Sequence, residues 1–281
     1  MPSIEDVILA NDTRGVSGLR SHLSANYCQE AANCIVANPG TVLITTGFYI
    51  VAAKAPETDG PPGALALGRA LRAMGRDVVY VTDRYTLPVL EPFVENSSQI
   101  VEFPICDDEA SKTVAADLLS DLKPSLLIAI ERCSVTREGT YLNMRQVDIT
   151  PQTAKVDHLF LNHDKTIGIG DGGNEIGMGN LSEVIPNIPT LPSIPASTGA
   201  THLVISSTSN WGGYGVIAAL STISGRNLLP DPEEEDNLIR MMVDKGAVDG
   251  VTGKALCSVD GMDMDGHGTA LWALHEIING L

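Results

Sequence analysis

Basic and aromatic residues are scarce in this sequence. Its 281 residues include only 18 Lys and Arg against 35 Asp and Glu, so the formal net charge at pH 7 is −17. We therefore expect no nucleic-acid partner, because phosphate binding needs a basic surface. Aromatic residues make up 4% of the chain, whereas apolar residues make up 43%. This composition predicts a globular protein with a mainly aliphatic core.

Signals for membranes, secretion and disulfides are also missing. No apolar run approaches the roughly 20 residues that a membrane-spanning helix needs, so we expect no membrane partner. Residues 1–6 lack the basic start and apolar centre of a signal peptide, which favours a cytoplasmic protein. The five cysteines are odd in number and form no C-x-x-C pair. Neither a disulfide framework nor a zinc ribbon is therefore expected.

What the chain does contain is a regular alternation of apolar runs and helical patterns. The predicted strands cover residues 41–50, 77–83, 99–104, 125–130 and 202–206. The predicted helices cover residues 17–32, 64–74, 85–95, 107–122, 214–224 and 231–245. This alternation is typical of a doubly wound α/β fold, with a mainly parallel sheet and helices on both faces. We predict one domain over residues 1–281, with residues 1–39 as a helical N-terminal extension.

The densest motif is residues 166–179, which read T-I-G-I-G-D-G-G-N-E-I-G-M-G. Glycines allow a tight turn whose exposed N–H groups suit an anion. Asp171 and Glu175 lie inside the motif, and Glu175 falls in the first turn of a helix if one begins near Gly173. Two carboxylates beside N–H donors favour a divalent cation that bridges the protein to an anionic ligand. The alternative is a strand–helix turn in which Asp171 is only the N-cap.

The same motif formally contains the dinucleotide fingerprint G-x-G-x-x-G, at Gly168, Gly170 and Gly173. The preceding apolar run is short, and no acidic residue stands about twenty positions further on to bind a ribose. We therefore disfavour a dinucleotide site.

Further acidic residues follow the predicted strands. Glu57 and Asp59 lie in the loop after the strand at 41–50, and Asp83 ends the next strand. Open parallel sheets bind ligands at the carboxyl ends of their strands, so these side chains are candidates for a site. The alternative for Glu57 and Asp59 is a pair of loop acids in solvent.

Two polar turns are candidate anion-binding elements. The turn at residues 11–15 either delivers Arg14 to an anion or forms an N-cap cluster. The turn at 206–213, with Ser209 and Asn210, either cradles an anion at a helix N-terminus or only caps that helix. Residues 260–267 resemble an EF-hand loop, but the spacing is wrong and the bidentate Glu is missing. We assign His267 a structural role.

Four motifs together resemble the D-glutamate cyclase family, and more closely the carboxyl-terminal domain of its mitochondrial member. They are E-T-D-G-P-P-G at 57–63, Glu131-Arg132 with G-T-Y-L-N-M-R at 139–145, G-D-G-G-N-E-I-G-M-G at 170–179, and S-N-W-G at 209–212. The resemblance implies a lyase that closes D-glutamate to 5-oxo-D-proline and water, or a metal-dependent relative acting on another small anion. The mitochondrial member has a further N-terminal domain, for which these residues leave no room. Cyclisation is expected here only if it does not depend on that domain.

With this resemblance, we predict a Mg²⁺ or Mn²⁺ site with Glu57, Asp59, Asp171, Asn174 and Glu175 as oxygen ligands. Glu131 is the candidate general base, and Arg132 is expected to hold the second carboxylate of the substrate. Arg137 and Arg145 are the alternatives to Arg132. The predicted substrate contacts are Arg14, Thr46, Arg137, Asn143, Arg145, Gly172, Gly173, Ser209 and Asn210.

Two other functions remain open from the sequence. The same carboxylates suit a metal-dependent phosphatase, and a metabolite-binding protein with a structural cation is a non-catalytic alternative. In each case the partner is a small anionic metabolite, and we keep a homo-oligomer as a further hypothesis. Cys133 follows the Glu131-Arg132 pair but has no committed His beside it, so we expect no nucleophilic thiol.

Overall fold

The computed structural model describes residues 2–94 and 100–280. Its strands, in chain order, are β1 (Thr41–Thr46), β2 (Tyr49–Ile50), β3 (Ala55–Pro56), β4 (Asp77–Thr82), β5 (Ile100–Glu102), β6 (Leu126–Ile130), β7 (Thr166–Gly170), β8 (His202–Ile205), β9 (Ser258–Val259) and β10 (Met262–Asp263). Its α-helices are α1 (Ile4–Ile8), α2 (Tyr27–Ala37), α3 (Pro61–Ala73), α4 (Leu87–Leu90), α5 (Asp108–Leu122), α6 (Asp157–Phe160), α7 (Ser209–Ser224), α8 (Pro232–Asp244) and α9 (Met264–Asn279). Within the described ranges, no helix has the length and apolar character needed to cross a bilayer.

Six strands form one parallel sheet in the order β5-β4-β1-β6-β7-β8. The chain runs outward from β1 to β5, returns to the middle at β6, and then runs outward again to β8. The connections after β1 and β6 therefore diverge at their carboxyl ends, which is where doubly wound sheets form a ligand crevice. The predicted doubly wound fold is confirmed. The pairs β2–β3 and β9–β10 are short antiparallel hairpins outside this sheet.

Both faces of the sheet are buried, as the continuous apolar strands require. In β6, Ile128 and Ile130 belong to the larger core, which also includes Leu65 of α3. Leu127 and Ala129, on the opposite face, belong to the smaller core under α5. Helix α7 is the centre of the larger core and is buried along most of its length.

The N-terminal region is mainly helical, as predicted, but the single helix predicted at 17–32 is wrong. A 3-10 helix covers Val16–His22, the chain then turns, and α2 begins only at Tyr27. Gly18 and the serines around it are weak helix formers, and the polar turn at 24–26 separates the two helices. The region is integrated into the core: Ile8 O accepts from Ser207 N at 2.8 Å, and Tyr27 Oη donates to Ile205 O at 2.7 Å.

Other boundaries also differ from prediction. Strand β1 ends at Thr46 and does not continue to Ile50, because Gly47 adopts a φ of 108° that ends the extended conformation. The helix predicted at 85–95 is only α4 and a 3-10 turn over Glu91–Phe93, since Pro92 has no N–H to continue the helix. The predicted strand at 99–104 is β5. Residues 95 and 99 of these two predictions lie outside the described residues.

The helix that the sequence left open near Gly173 is not formed. Gly173 and Gly177 have φ values of 90° and 103°, which are incompatible with a right-handed helix, and the chain makes an irregular turn instead. Part of the glycine pattern serves close packing. A Cβ placed on Gly168 in β7 would lie 2.4 Å from Ile176 O and 2.6 Å from the Cα of Gly177.

We predict that Gly168→Ala destabilises the protein by at least about 1–3 kcal/mol, because the added methyl group meets rigid backbone. Gly268→Ala is the matched control, since its Cβ would meet only Trp272 at 4.0 Å. In helix α9 this control should be neutral or stabilising by up to about 1 kcal/mol. Chemical denaturation of both variants tests the prediction. Equal stabilities would show that the turn at 176–177 yields to the added methyl.

Candidate active site

A cluster of carboxylates lies at the carboxyl edge of the sheet, beside the divergence of β1 and β6. It combines the acids predicted from the strand ends with those of the glycine motif. Within the described residues, the carboxylates that meet here belong to Glu57, Asp59, Glu131, Asp171, Glu175 and Asp260. All are largely shielded from solvent. Glu57 and Asp59 follow β3, Glu131 follows β6, Asp171 and Glu175 follow β7, and Asp260 lies in the turn between β9 and β10.

The cluster contains two groups with the spacing of metal ligands. In one group, carboxylate oxygens of Asp59, Asp171 and Asp260 all lie within 4.8 Å of one another. In the other, oxygens of Glu131, Asp171 and Glu175 meet the same limit. Asp171 belongs to both groups and is 2% exposed. The sequence alternative in which Asp171 is only an N-cap does not fit, because no helix follows it.

Asp59 is held by the N-terminus of α7. Its two carboxylate oxygens accept from the backbone N–H groups of Ser209 and Asn210, each at 2.8 Å. The Asn210 side-chain oxygen in turn accepts from Gly60 N and Gly63 N at 2.9 Å. The amides at 209–210 therefore bind a carboxylate of the protein itself, and the substrate contact predicted for this turn is left without these two donors.

Glu175 occupies the anion-binding turn that was predicted within the glycine motif at 166–179. Its carboxylate accepts from Gly172 N and Gly173 N, both at 2.8 Å. The sequence suggested that these two amides bind an anionic ligand. In the structure they bind a carboxylate of the protein instead. Asn174 lies between Gly173 and Glu175 in the chain, is 3% exposed, and donates its amide to Leu142 O. Its oxygen Oδ1 has no hydrogen-bond partner in the described part of the chain.

Glu131 directly follows β6 in a strained conformation. Its φ of 45° lies in the left-handed region, which a residue with a side chain rarely adopts. Strain of this kind clusters at functional sites. The carboxylate Oε2 accepts from Ser209 Oγ at 2.5 Å, so the Ser209 side chain supports the predicted base. Thr46 lies nearby and is buried; a Cβ on Gly60 would be 2.8 Å from Thr46 Oγ1 and 2.5 Å from Glu131 Cβ.

Arg14 enters the cluster from the N-terminal region. Its guanidinium forms ion pairs with Asp171 and with Asp260, the latter at 2.7 Å. Asp12 supports the turn by accepting from three backbone N–H groups, including that of Arg14 itself. Both sequence alternatives for this turn are therefore present: Asp12 caps, and Arg14 is delivered to anions. Those anions, however, are carboxylates of the protein.

Asp260 is a site residue that the sequence reasoning missed. It was set aside with the rejected EF-hand segment, yet its side chain is only 6% exposed and its Oδ2 has no partner among the described residues. The Asp-Gly pair at 260–261 was a usable signal, because it marks a tight turn, and Asp260 has a φ of 53°. His267 in the same segment is buried and stacks on Trp211 at 6.1 Å.

The structure places Arg132 elsewhere than predicted. Its side chain is 1% exposed and pairs with Asp83 at 2.6 Å. It also donates to Gly47 O at 2.9 Å and to Ala154 O at 3.1 Å. Arg132 thus joins the ends of β1, β4 and β6 beneath the site, and the predicted contact with a substrate carboxylate does not match this position. Its neighbour Cys133 is buried, and burial raises the pKa of its thiol well above the usual value.

A cavity of about 160 Å³ opens onto the cluster. This is smaller than the roughly 300–1,000 Å³ of drug-sized pockets and suits a small metabolite. Asn143, Met144 and Arg145 line it on one side. Arg137, the other predicted alternative for substrate binding, lines a separate surface cleft and pairs with Glu183. The remaining lining residues are Arg14, Phe48, Ile50, Val51, Ala52, Glu57, Glu131, Asp171, Asn174, Gly250 and Val251.

Burial and mutual repulsion raise the pKa values of the carboxyl groups in this cluster. Burial, followed by the charge of Asp260, raises the pKa of Asp59 to about 7. Burial, with help from neighbouring carboxylates, raises the pKa of Glu57 and of Glu131 well above the usual value. Burial also raises the pKa of Asp171, although Arg14 opposes this shift.

The residues present fit a hard divalent cation. Several oxygen donors converge, and the donors include the unpaired Oδ1 of Asn174, which can ligate a cation but cannot titrate. The donor set contains no sulfur or imidazole, which favours Mg²⁺ or Mn²⁺ over zinc. Asp171, Glu175 and Asn174 are the ligands that this geometry favours, and Glu131 lies beside them.

Comparison with known proteins adds to this picture. A family described as D-glutamate cyclase-like, C-terminal, matches residues 4–275. The chain belongs to this family. Human mitochondrial D-glutamate cyclase is 29% identical over 290 residues, a match that covers 88% of this chain and 47% of the human protein. The chain thus spans about half the length of that relative.

A solved structure, that of an exopolyphosphatase-related protein from Bacteroides fragilis, is also similar. The match covers 91% of this chain and 59% of the other, with a TM-score of 0.44 and 8% sequence identity. A likeness at this level carries no argument about function.

The raised pKa values predict how stability depends on pH. Burial lowers the pKa of His267 to about 4. Above pH 6.5 its imidazole is neutral in both the folded and the unfolded chain, so it adds nothing to the pH dependence of stability. Acids with a raised pKa keep protons in the folded protein that the unfolded chain has lost, so stability falls as pH rises. Each such group costs about 1.4 kcal/mol per pH unit until it ionises. We predict that the melting temperature of chelator-stripped protein falls between about pH 6.5 and pH 8.

Millimolar Mn²⁺ or Mg²⁺ should raise the melting temperature and flatten this pH dependence, because a cation lowers the carboxylate pKa values and stabilises the folded state by mass action. Differential scanning fluorimetry with and without metal provides the measurement. A melting temperature that is independent of both metal and pH would contradict the cation site.

The position of Arg132 predicts a structural role. Arg132→Met leaves the Asp83 carboxylate buried without its partner, and loss of one member of a buried ion pair costs about 3–5 kcal/mol. We expect a matching fall in the free energy of unfolding. Arg145→Met, an exposed change at the cavity, should leave stability unchanged. If Arg132→Met kept native stability and only weakened substrate binding, the sequence-based role of Arg132 would be restored.

Proposed function

We propose that this chain closes D-glutamate to 5-oxo-D-proline and water at the carboxylate cluster, with Mg²⁺ or Mn²⁺ as cofactor. The observation that carries the proposal is the meeting of Glu131, Asp171, Glu175 and the unpaired Asn174 oxygen beside a small cavity. Membership in the D-glutamate cyclase-like family supports the choice of reaction.

The reaction is an intramolecular condensation. The α-amino nitrogen bonds to the carbon of the side-chain carboxylate, and one C–O bond of that carboxylate breaks. The ammonium group gives up two protons and the departing oxygen takes two, so water leaves and the net charge does not change. Because both reacting groups belong to one molecule, the protein needs to orient them and to move protons.

Glu131 suits the movement of protons. It lines the cavity, and burial raises its pKa well above the usual carboxyl value, which makes Glu131 a stronger base than a free carboxylate. Its oxygen Oε2 is fixed by Ser209 Oγ. Glu131 can therefore accept a proton from the amine and return it to the departing oxygen. When bound, a divalent cation supplies positive charge that polarises the side-chain carboxylate for attack.

Arg145 is the best candidate to hold the α-carboxylate. It is exposed and lines the cavity beside Asn143, whose Oδ1 accepts from the Arg145 backbone N–H at 2.9 Å. Arg14 also lines the cavity, but its guanidinium is already shared by two carboxylates. Arg132 is buried below the site.

The phosphatase alternative has lost its main support from the sequence. The two amide cradles that were expected to bind phosphate oxygens hold Asp59 and Glu175. Three carboxylates and two arginines line the cavity, and one of these arginines is already paired with two carboxylates. A phosphate dianion therefore needs added cations to bind there. The non-catalytic alternative, a metabolite-binding protein with a structural cation, differs from the cyclase only in that it forms no product.

The test is an assay for product. Chelator-stripped protein is supplied with Mn²⁺ or Mg²⁺ and D-glutamate, and 5-oxo-D-proline is measured by chiral chromatography with mass detection. We expect metal-dependent turnover with the D-isomer, and a loss of about a hundredfold or more in Glu131→Gln, because proton transfer contributes roughly 10²–10⁴-fold to catalysis. Glu183→Gln, an exposed change at the separate cleft, is the matched control and should retain activity.

Binding of D-glutamate without product would favour a metabolite-binding protein. Release of phosphate from phosphate esters, with no 5-oxo-D-proline, would favour a phosphatase. Either result contradicts the proposed cyclase activity.

A further inference from the structure

Asp171 belongs to both of the carboxylate groups that have metal-ligand spacing. The cluster therefore has ligands for either one cation or two. One carboxylate can bridge two metal ions, each bound to one oxygen. Oxygens of Asp59, Asp171 and Asp260 meet on one side, and oxygens of Glu131, Asp171 and Glu175 on the other. We call these the Asp260 side and the Glu175 side. They differ in what already occupies them.

On the Asp260 side, a positive charge of the protein is in place. One Arg14 nitrogen contacts Asp171 Oδ2, and the other donates to Asp260 Oδ1 at 2.7 Å. The Arg14 side chain is 20% exposed, whereas those of Asp171 and Asp260 are 2% and 6% exposed. A guanidinium remains protonated at any physiological pH. This side therefore already holds a permanent positive charge, fixed by two charge-assisted hydrogen bonds.

On the Glu175 side, the described residues supply acceptors and an unpaired oxygen. A Cβ placed on Gly172 would lie 2.7 Å from Glu175 Oε1 and 2.8 Å from Asn174 Oδ1. The two oxygens therefore lie on the same side of the turn. Asn174 Oδ1 is buried without a hydrogen-bond partner, an arrangement that costs free energy unless a ligand completes it. A hard cation is the ligand that suits a carboxamide oxygen beside carboxylates.

We propose that the cluster takes a single divalent cation, on the Glu175 side, and that Arg14 acts as the built-in second cation on the Asp260 side. This inference rests on the proposed function only in that it assumes a divalent cation. A second ion would have to displace a guanidinium that is largely buried and bonded to both neighbouring carboxylates. Arg14 is thus a positioning residue for Asp171, and it fixes the metal stoichiometry at one.

The experiment is a count of bound Mn²⁺ ions in the full chain, without substrate. After equilibration with Mn²⁺ and removal of free metal, we expect one ion per wild-type chain and the electron paramagnetic resonance spectrum of an isolated ion. Arg14→Gln should bind two ions with an exchange-coupled spectrum, because Asp171 then bridges them. Arg14→Lys, which keeps a positive charge, should bind one ion.

Two results would overturn the proposal. One is two ions in the wild-type chain, and the other is a folded Arg14→Gln variant that still binds one ion. No bound Mn²⁺ in any variant would overturn both this proposal and the metal dependence of the proposed function. One bound ion without formation of 5-oxo-D-proline would support this proposal while contradicting the cyclase activity.

A second measurement keeps the proposal testable if Arg14→Gln fails to fold. Asn174→Ala removes an oxygen on the Glu175 side and should weaken Mn²⁺ affinity about tenfold or more, as expected for loss of a group that ligates or supports a metal. Asp260→Asn changes only the Asp260 side and should leave the Mn²⁺ affinity nearly unchanged, with Glu183→Gln as the control. The reverse order of the two affinities would place the ion on the Asp260 side and overturn the proposal.

Discussion

Repulsion among buried carboxylates is the constraint on which this structure depends. Carboxylates from the segments after β1, β6 and β7 meet at one edge of the sheet, together with Asp260. In a medium of low dielectric such charges repel strongly, and burial raises the pKa values of Asp59 and Glu131 accordingly. The surrounding chain is arranged to offset this repulsion with hydrogen-bond donors and one guanidinium.

Five of the six carboxylates contact a hydrogen-bond donor or the Arg14 guanidinium. Asp59 takes the first amides of α7, Glu175 takes two amides of the glycine turn, and Glu131 takes the hydroxyl of Ser209. Arg14 pairs with both Asp171 and Asp260. Local structure and electrostatics are therefore inseparable here, because the turns that hold the carboxylates are themselves stabilised by those carboxylates.

The sequence was informative about topology and about which acids meet. Alternating apolar runs were sufficient to predict a doubly wound sheet, and the positions of Glu57, Asp59 and Asp171 after strands predicted a common edge. It could not show whether an amide cradle receives an internal or an external anion, because that depends on where Glu175 and Asp59 fold back. Arg132 also follows a strand, yet only tertiary packing reveals that it turns toward Asp83. Asp260 is distant in sequence and joins the site from the turn between β9 and β10, a short hairpin outside the main sheet.

The N-terminal region has a consequence for how this domain can be dissected. It supplies Arg14 to the site, Ile8 and Tyr27 hold the end of β8, and residues of α2 cover one side of α7. A fragment cut to begin at β1 would retain every strand of the sheet. It would nevertheless expose the most buried helix of the fold and leave two carboxylates without their cation. The boundary of the functional unit therefore lies before Ile8, well ahead of the boundary of the sheet.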